Sequence, residues 1–298
     1  MTQPAVIPPL AGWNDDAPTH PYLVCDVFTS QPLEGNQLGV FVDGRPFDTA
    51  LMARLARELN VAETVFLLAP RTGGDVAMRI FTPGTELPFA GHPVLGTAFV
   101  VGAALGKDTV ALETGAGLIS VELEREGGRI VFGRMRQPIP TWEPFERERE
   151  LLDALGVSAS LLPVELYRQG PLHAFVALAS EEAVAALAPD MKALAALGVA
   201  ANCFARAVST WKTRMFYPAA GVPEDPATGS AAGPLVVHLA RHGEIVFGEE
   251  IEIRQGAEIG RPSVLYARAS GEGERIDSVE VGGVAVVVAE GRYRVAKG

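Results

Sequence analysis

Two segments far apart in the chain follow one plan. RIFTPGTELPFAGHPVLGTAFVVGAALG (79–106) and RMFYPAAGVPEDPATGSAAGPLVVHLA (214–240) each open with Arg-apolar-Phe and place a proline after one more residue. Each then passes through a loop and a glycine turn into a helical stretch that is apolar on nearly every side. A helix that is hydrophobic all round must be buried all round. Two such helices, each flanked by strands, predict two similar lobes in which a sheet wraps a central helix. An ordinary doubly wound fold would alternate strand and helix more regularly than the second half of this chain does.

The segments around the echo support that division. YLVCDVFT (22–29) and LGVFV read as strands, as do VAETVFLLA (61–69) and VAMRIFT (76–82). DTALMARLARELN (48–60) is an amphipathic helix, with Leu51, Leu55 and Leu59 on one face, Asp48 to cap its start and Asn60 to end it. The spacing predicts a helix from Val94 to Gly106, then strands near 109–113, 117–124 and 129–135. A Pro-rich connection leads into the next helix and marks a domain boundary, with lobe 1 over 20–135 and lobe 2 over 136–285. In lobe 2, strands are expected at 172–179, 202–208, 212–217, 249–254, 262–269 and 279–289, with a short helix at 181–187. Residues 1–19, rich in proline and polar side chains, read as a loose extension.

The chain has 298 residues, enough for two domains, and its 48% hydrophobic and 20% charged content is that of a soluble globular protein. A net charge of −11 without any Lys/Arg-rich run leaves no basic footprint for nucleic acid. The longest uncharged apolar run, Pro93 to Gly106, is too short to span a bilayer. There is no cationic start followed by an apolar core, and the two cysteines, Cys25 and Cys203, form neither a disulfide framework nor a zinc-spaced cluster. A cytoplasmic location is expected.

The chemistry concentrates where the two apolar helices begin. In FAGHPVLG, Gly91 permits a tight turn, Pro93 suits the first helical turn, and His92 stands beside the free N–H groups. In EDPATGSAAG, Gly229 and Ser230 occupy the equivalent entrance, next to Glu224 and Asp225. Unpaired N–H donors and the positive end of the helix dipole make each entrance a candidate carboxylate site. Two of them across a cleft hold a small acid without a metal or a basic residue. Glu63, the single charge in VAETVFLLA, stands either at an exposed strand end or in an apolar cavity suited to proton transfer. Each residue also has an ordinary reading: Glu63 as a solvated strand-start acid, His92 and Ser230 as helix caps, Asp225 and Asn36 as turn residues. His238 and His242 have the i, i+4 spacing of a metal pair, but HLARH lacks a metalloprotease glutamate and shows no third ligand, so no metal is expected. Arg79 and Arg214 read as supports of their lobes. No phosphate loop, dinucleotide fingerprint or nucleophile elbow is present.

GNQLGVF, AETVFL, RIFTPGTELPFAGHPVLGTA and EDPATGSAAG together resemble the phenazine-biosynthesis isomerase-like (PhzF-like) family, which shares a fold superfamily with diaminopimelate epimerase and proline racemase. The resemblance runs from about residue 22 to the C-terminus. It implies an α+β fold of two pseudo-symmetric lobes, each a curved, mostly antiparallel sheet or barrel around a central apolar helix, with the active site between them. It further implies that 286–298 returns to complete lobe 1, and that the protein is a homodimer. The family's acid/base glutamate falls on Glu63, its Ala-Gly-His-Pro histidine on His92, its aspartate and serine on Asp225 and Ser230, and its early asparagine on Asn36. Gly91, Thr228 and Gly229 complete the expected substrate site. Related racemases carry a cysteine at each helix entrance; here those places hold Gly91-His92 and Thr228-Gly229, which rules out two-cysteine racemization. Gln37 replaces the family's usual proline and Ala62 its usual serine. The resemblance therefore implies a cofactor-free, metal-free isomerase of a small cyclic amino-acid-like substrate similar to trans-2,3-dihydro-3-hydroxyanthranilate, with Glu63 as acid and base. The alternatives are an epimerase acting on another small amino or hydroxy acid, and a non-catalytic binder of small acids.

Overall fold

The computed structural model describes residues 17–295. The expected loose extension lies mostly outside the described residues, and Thr19, at its end, already opens the first strand. Lobe 1 lays down β1 (Thr19–Val27), β2 (Asn36–Phe41), α1 (Thr49–Leu59), β3 (Glu63–Leu68), β4 (Val76–Phe81), β5 (Glu86–Leu87), α2 (Gly91–Leu105), β6 (Thr109–Thr114), β7 (Gly117–Glu126) and β8 (Arg129–Gln137). The chain continues with β9 (Thr141–Pro144), α3 (Glu148–Leu155), β10 (Glu165–Arg168), β11 (Leu172–Ala177), α4 (Glu181–Ala185), α5 (Met191–Leu197), β12 (Ala200–Arg206), β13 (Trp211–Tyr217), β14 (Val222–Asp225) and α6 (Gly229–Arg241). It ends with β15 (Glu250–Gln255), β16 (Ser263–Glu272), β17 (Arg275–Gly283) and β18 (Ala285–Arg294).

The strand pairings show the two lobes to be copies of one topology. β1 and β2 are antiparallel, β2 and β3 run parallel across α1, β3 and β4 are antiparallel, and β4 and β6 run parallel across α2. β6, β7 and β8 then form a meander. β10 to β17 repeat these steps in order, with parallel pairs across α4 and α5 and again across α6. β9 lies along β10 as the outermost strand of its sheet. The matching place beside β1 is filled by β18, which returns from the far end of the chain. An antiparallel β8–β17 ladder joins the two sheets.

Each sheet is covered on both faces, which explains why the inner strands read as apolar runs rather than alternating ones. Inward, α2 is buried at every residue from Gly91 to Phe99, and α6 from Gly229 to Ala240. Outward, α1 lies over a packed aromatic layer in which Phe41 and Phe66 stack at 4.9 Å between Phe47 and Phe81. The fully buried rings each contribute about 1.5–3 kcal/mol through burial. A second outer layer under α3, α4 and α5 closes lobe 2. α1 is delimited as its sequence implies: Asp48 accepts from the Leu51 N–H at 2.8 Å, and Asn60 adopts the left-handed conformation at φ 52°.

Several local readings need correction. α2 begins at Gly91 rather than Val94, because Pro93 is accommodated in a first turn that needs no N–H from it. The single strand expected at 279–289 is two strands broken at Val284, whose carbonyl accepts from Phe28 and Thr29 N–H groups as the chain crosses from one sheet to the other. β9, β10 and α5 are too short and too weakly patterned to have been anticipated. No helix among the described residues is long and apolar enough to cross a membrane.

Candidate active site

The entrances of α2 and α6 meet. A Cβ placed on Gly91 would come within 2.7 Å of the Gly229 carbonyl carbon and 2.9 Å of the Ser230 nitrogen, so only glycine fits between the two backbones. Beside this junction a cleft of about 340 Å³ opens between the lobes. Glu63, Gly91 and His92 line one side, and His173, Asp225, Thr228, Gly229 and Ser230 the other. The outer wall is largely apolar, through Leu87, Met215, Tyr217 and Val222. Sequence separations above one hundred residues are thus closed by the fold into one site.

Glu63 is the first residue of β3, and its side chain is 15% exposed. Its Oε2 stands 2.9 Å from His92 Nε2, the distance of an ion pair once the imidazole is protonated. Both atoms are buried, and apart from each other neither has a hydrogen-bond partner among the described residues. Burial alone depresses the basicity of His92, but the Glu63 carboxylate, the Asp225 charge and the Gln37 backbone together outweigh it, and its pKa is raised. His92 is accordingly held toward the imidazolium form.

Asp225 ends β14 and is fastened on both oxygens. Asn36 Nδ2 donates to Oδ1 at 2.9 Å and Thr228 Oγ1 donates to Oδ2 at 2.6 Å. Burial first, and the Glu63 charge second, push its pKa up to about 6, against the opposing pull of His92, Thr228 and Asn36. Asn36 itself is wholly buried, and the same amide reaches the Ala227 carbonyl at 2.9 Å, so it ties lobe 1 to the Asp225 turn. Gln255 completes the clamp, donating to Thr228 Oγ1 at 2.9 Å and to the Asp225 carbonyl at 2.8 Å. Glu224, the neighbouring acid, turns away and pairs with Arg214 at 2.8 Å.

Ser230 contacts a residue that sequence reasoning missed. Its Oγ lies 3.2 Å from His173 Nε2, and His173 Nδ1 lies 3.2 Å from Asn202 Nδ2. Burial pushes the His173 pKa down to about 3, so this histidine is neutral. The available signal was its isolation as the one ionisable group in LHAFVA, the same signal that singled out Glu63.

His238 and His242 do acquire a third neighbour, which corrects the reading of that pair. Glu165 Oε2 lies 3.1 Å from His238 Nδ1 and 3.2 Å from His242 Nε2. The same oxygen accepts from Arg241 Nη1 at 2.7 Å and from the Tyr167 hydroxyl at 3.0 Å. A cation at these atoms would meet the fixed guanidinium charge, and the cluster instead ties the end of α6 to β10. It lies about 18 Å along the helix from Gly229. Cys25 and Cys203 are buried in strands, and burial pushes both thiols up to about 12, away from acid/base use.

The two-lobe fold recurs in solved structures. A hydroxyproline epimerase from Agrobacterium vitis superposes with a TM-score of 0.68 at 12% identity, covering 92% of each chain. Nearer in fold is the phenazine biosynthesis protein of the PhzF family from Bacillus anthracis, with a TM-score of 0.82 at 24% identity over 93% of this chain and all of that one. Residues 25–291 match the family described as phenazine biosynthesis-like protein, and the chain belongs to that family. It is an isomerase of this PhzF-like class. A trans-2,3-dihydro-3-hydroxyanthranilate isomerase from Pseudomonas aeruginosa is 54% identical over 274 residues, 92% of this chain and 99% of the relative.

Proposed function

We propose that this chain isomerises a small cyclic amino acid of the trans-2,3-dihydro-3-hydroxyanthranilate kind, without a cofactor, by moving one proton between carbons. Glu63 removes a proton from one carbon, the double bond shifts, and the proton returns to another carbon directly or through a relay, leaving the composition of the substrate unchanged. The observation that carries this reading is the Glu63–His92 pair: a carboxylate oxygen and an imidazole nitrogen 2.9 Å apart, both buried and without a further partner among the described residues, at the wall of a cleft. His92 and Asp225 polarise the substrate and position its amine. The free N–H groups at the α2 and α6 entrances and the Ser230 hydroxyl receive its carboxylate. The apolar wall excludes water around the transferred proton.

The identity to the Pseudomonas aeruginosa isomerase supports the substrate class; a cytoplasmic homodimer is the state that the sequence resemblance implies. The lobes are taken as 20–135, completed by 286–298, and 136–285, a division supported by the pairing of β18 with β1. The test is turnover of trans-2,3-dihydro-3-hydroxyanthranilate in deuterated water, followed by absorbance and mass. The wild type should consume it with deuterium incorporation, and Glu63→Gln should lose about 10²–10⁴-fold in kcat while still binding ligand. Normal turnover by Glu63→Gln would remove the proposed base. An inert wild type would move the search to other small amino and hydroxy acids, screened by deuterium wash-in.

A further inference from the structure

Ser230 lines the cleft, and a serine hydroxyl can either donate to a ligand or accept from it. Which of these it does depends on the group behind it. That group is His173, fully buried in β11, with Asn202 of β12 behind it in turn. Asn202 Nδ2 lies 3.0 Å from the Ala200 carbonyl oxygen and 3.5 Å from that of Ala174. Reversing the amide would set its oxygen against those carbonyl oxygens, so the amide orientation is determined. One N–H then points to Ala200 and the other to His173 Nδ1, which must accept it. A neutral imidazole that accepts at Nδ1 carries its proton on Nε2. That Nε2–H faces Ser230 Oγ at 3.2 Å and donates to it. With an acceptor site occupied from behind and no acceptor available on His173, the Ser230 proton is left to point into the cleft.

We propose that Asn202 and His173 form a positioning relay that fixes Ser230 as an obligate hydrogen-bond donor to an anionic oxygen of the substrate. The inference rests on the isomerase reading for the identity of that ligand, and on the hydrogen-bond geometry alone for the polarity of the relay. It gives His173 a role distinct from acid/base catalysis: the ring never exchanges a proton with substrate, and its neutrality preserves the direction of the chain. It also separates the two entrances chemically. His92 presents an imidazole paired with the Glu63 carboxylate, whereas Ser230 presents a hydroxyl held by a neutral histidine.

The polarity is read directly from ring-nitrogen NMR of the full chain labelled with ¹⁵N-histidine. There are five histidines, and the His173 signals are those missing in His173→Gln. The expected spectrum has a protonated, pyrrole-type Nε2 and an unprotonated, pyridine-type Nδ1, unchanged from about pH 5 to 8. A proton on Nδ1, or an imidazolium at neutral pH, overturns the relay. Kinetics supply the second arm. Ser230→Ala should lose roughly 10²-fold in kcat/KM, the scale of one oxyanion-type donor. Asn202→Leu should let the tautomer mix in the spectrum and lose roughly tenfold, and the double variant should be no worse than Ser230→Ala because both changes remove one interaction. Independent, multiplying losses, or full activity in Ser230→Ala, also overturn it. Because the tautomer is read without substrate, an enzyme inert toward trans-2,3-dihydro-3-hydroxyanthranilate would sink the proposed substrate, while the nitrogen spectrum would still decide the relay.

Discussion

The two lobes carry the same Arg–Phe–Glu device in different surroundings. In lobe 1, Arg79 grips Glu86 through Nε and Nη2, both at 2.6 Å, and lies 5.1 Å from the Phe81 ring centroid. In lobe 2, Arg214 grips Glu224 at 2.9 and 2.8 Å and lies 4.9 Å from the Phe216 centroid. The third nitrogen shows what has diverged. Arg79 Nη1 reaches only the Thr49 hydroxyl at 3.0 Å, whereas Arg214 Nη1 takes the carbonyls of Ala185 and Leu187 at 3.0 and 2.8 Å, at the end of α4. Side-chain exposure is 28% and 40% for the first pair against 9% and 9% for the second. One motif serves as a surface clasp in one lobe and as a buried rivet in the other, and the rivet holds the strand that ends in Asp225.

The largest effect expected from this contrast is on stability. Arg214→Met should cost about 3–5 kcal/mol, because it leaves the Glu224 carboxylate buried without its partner and the α4 carbonyls without their donor. Chemical denaturation measures it directly, and a loss below about 1 kcal/mol would show that the rivet is not structural. The entrances offer the next contrast. A Cβ on Gly91 meets backbone at 2.7–2.9 Å, while one on Gly229 meets the Phe28 ring at 3.0–3.1 Å and Gly91 carbon at 3.2 Å. A ring can shift and a backbone junction cannot do so without moving both helices. Gly91→Ala should therefore lose about 10²-fold in kcat/KM through misplacement of His92 and Ser230, and Gly229→Ala distinctly less. Equal losses would mean that the junction is softer than its geometry implies.

How much of this was legible beforehand differs between levels. The apolar composition of 94–106 and 229–240 predicted buried helices, and the structure buries 94–99 and 229–240 throughout, while Ala103 to Gly106 at the end of α2 are exposed. Glu63, His92, Asp225 and Ser230 stood out because each is a polar group at the edge of an apolar run. Asn202 and Gln255 were not legible as site residues, and His173 was marked only by its isolation in an apolar strand. Each is one polar side chain within a strand, and whether such a residue faces water, core or cleft is decided by the strand's neighbours rather than by its own sequence. Glu165 was hidden for the same reason, since its histidine and arginine partners lie more than seventy residues away. The return of β18 to β1 is a long-range pairing that no local propensity encodes.

Asp225 supplies a pH test of the contrast between the charged and the neutral side of the site. Its folded pKa, about 6, lies above the ordinary value of 3.8, so the folded state binds this proton more tightly than the unfolded chain. The corresponding stability is fully present below about pH 4 and is lost as pH rises through about 6, a span on the order of 3 kcal/mol. Asp225→Asn should remove that part of the slope, so that the difference between variant and wild type in thermal stability grows from pH 4 to pH 6 in favour of the variant. The same substitution should abolish an acid limb near pH 6 in kcat/KM if the ionised carboxylate is what positions substrate. Parallel stability profiles would place the Asp225 titration elsewhere.

The smallest effect is the one that tells whether burial or the motif itself decides. Arg79→Met keeps the aliphatic stem over Phe81 and removes only the charge and its bonds to Glu86 and Thr49. Water can solvate the freed Glu86 carboxylate, because that side chain is 40% exposed, so the desolvation penalty that dominates at Glu224 is absent. The expected cost is therefore under about 1 kcal/mol, and it should shrink further in high salt, where exposed pairs are screened. Arg214→Met should be almost insensitive to salt over the same range, since its partner is shielded from mobile ions. Measuring both variants by denaturation at low and high ionic strength separates the two explanations. If Arg79→Met costs as much as Arg214→Met and neither responds to salt, the shared geometry carries the energy, and the buried rivet in lobe 2 is not a specialisation of the half that holds Asp225.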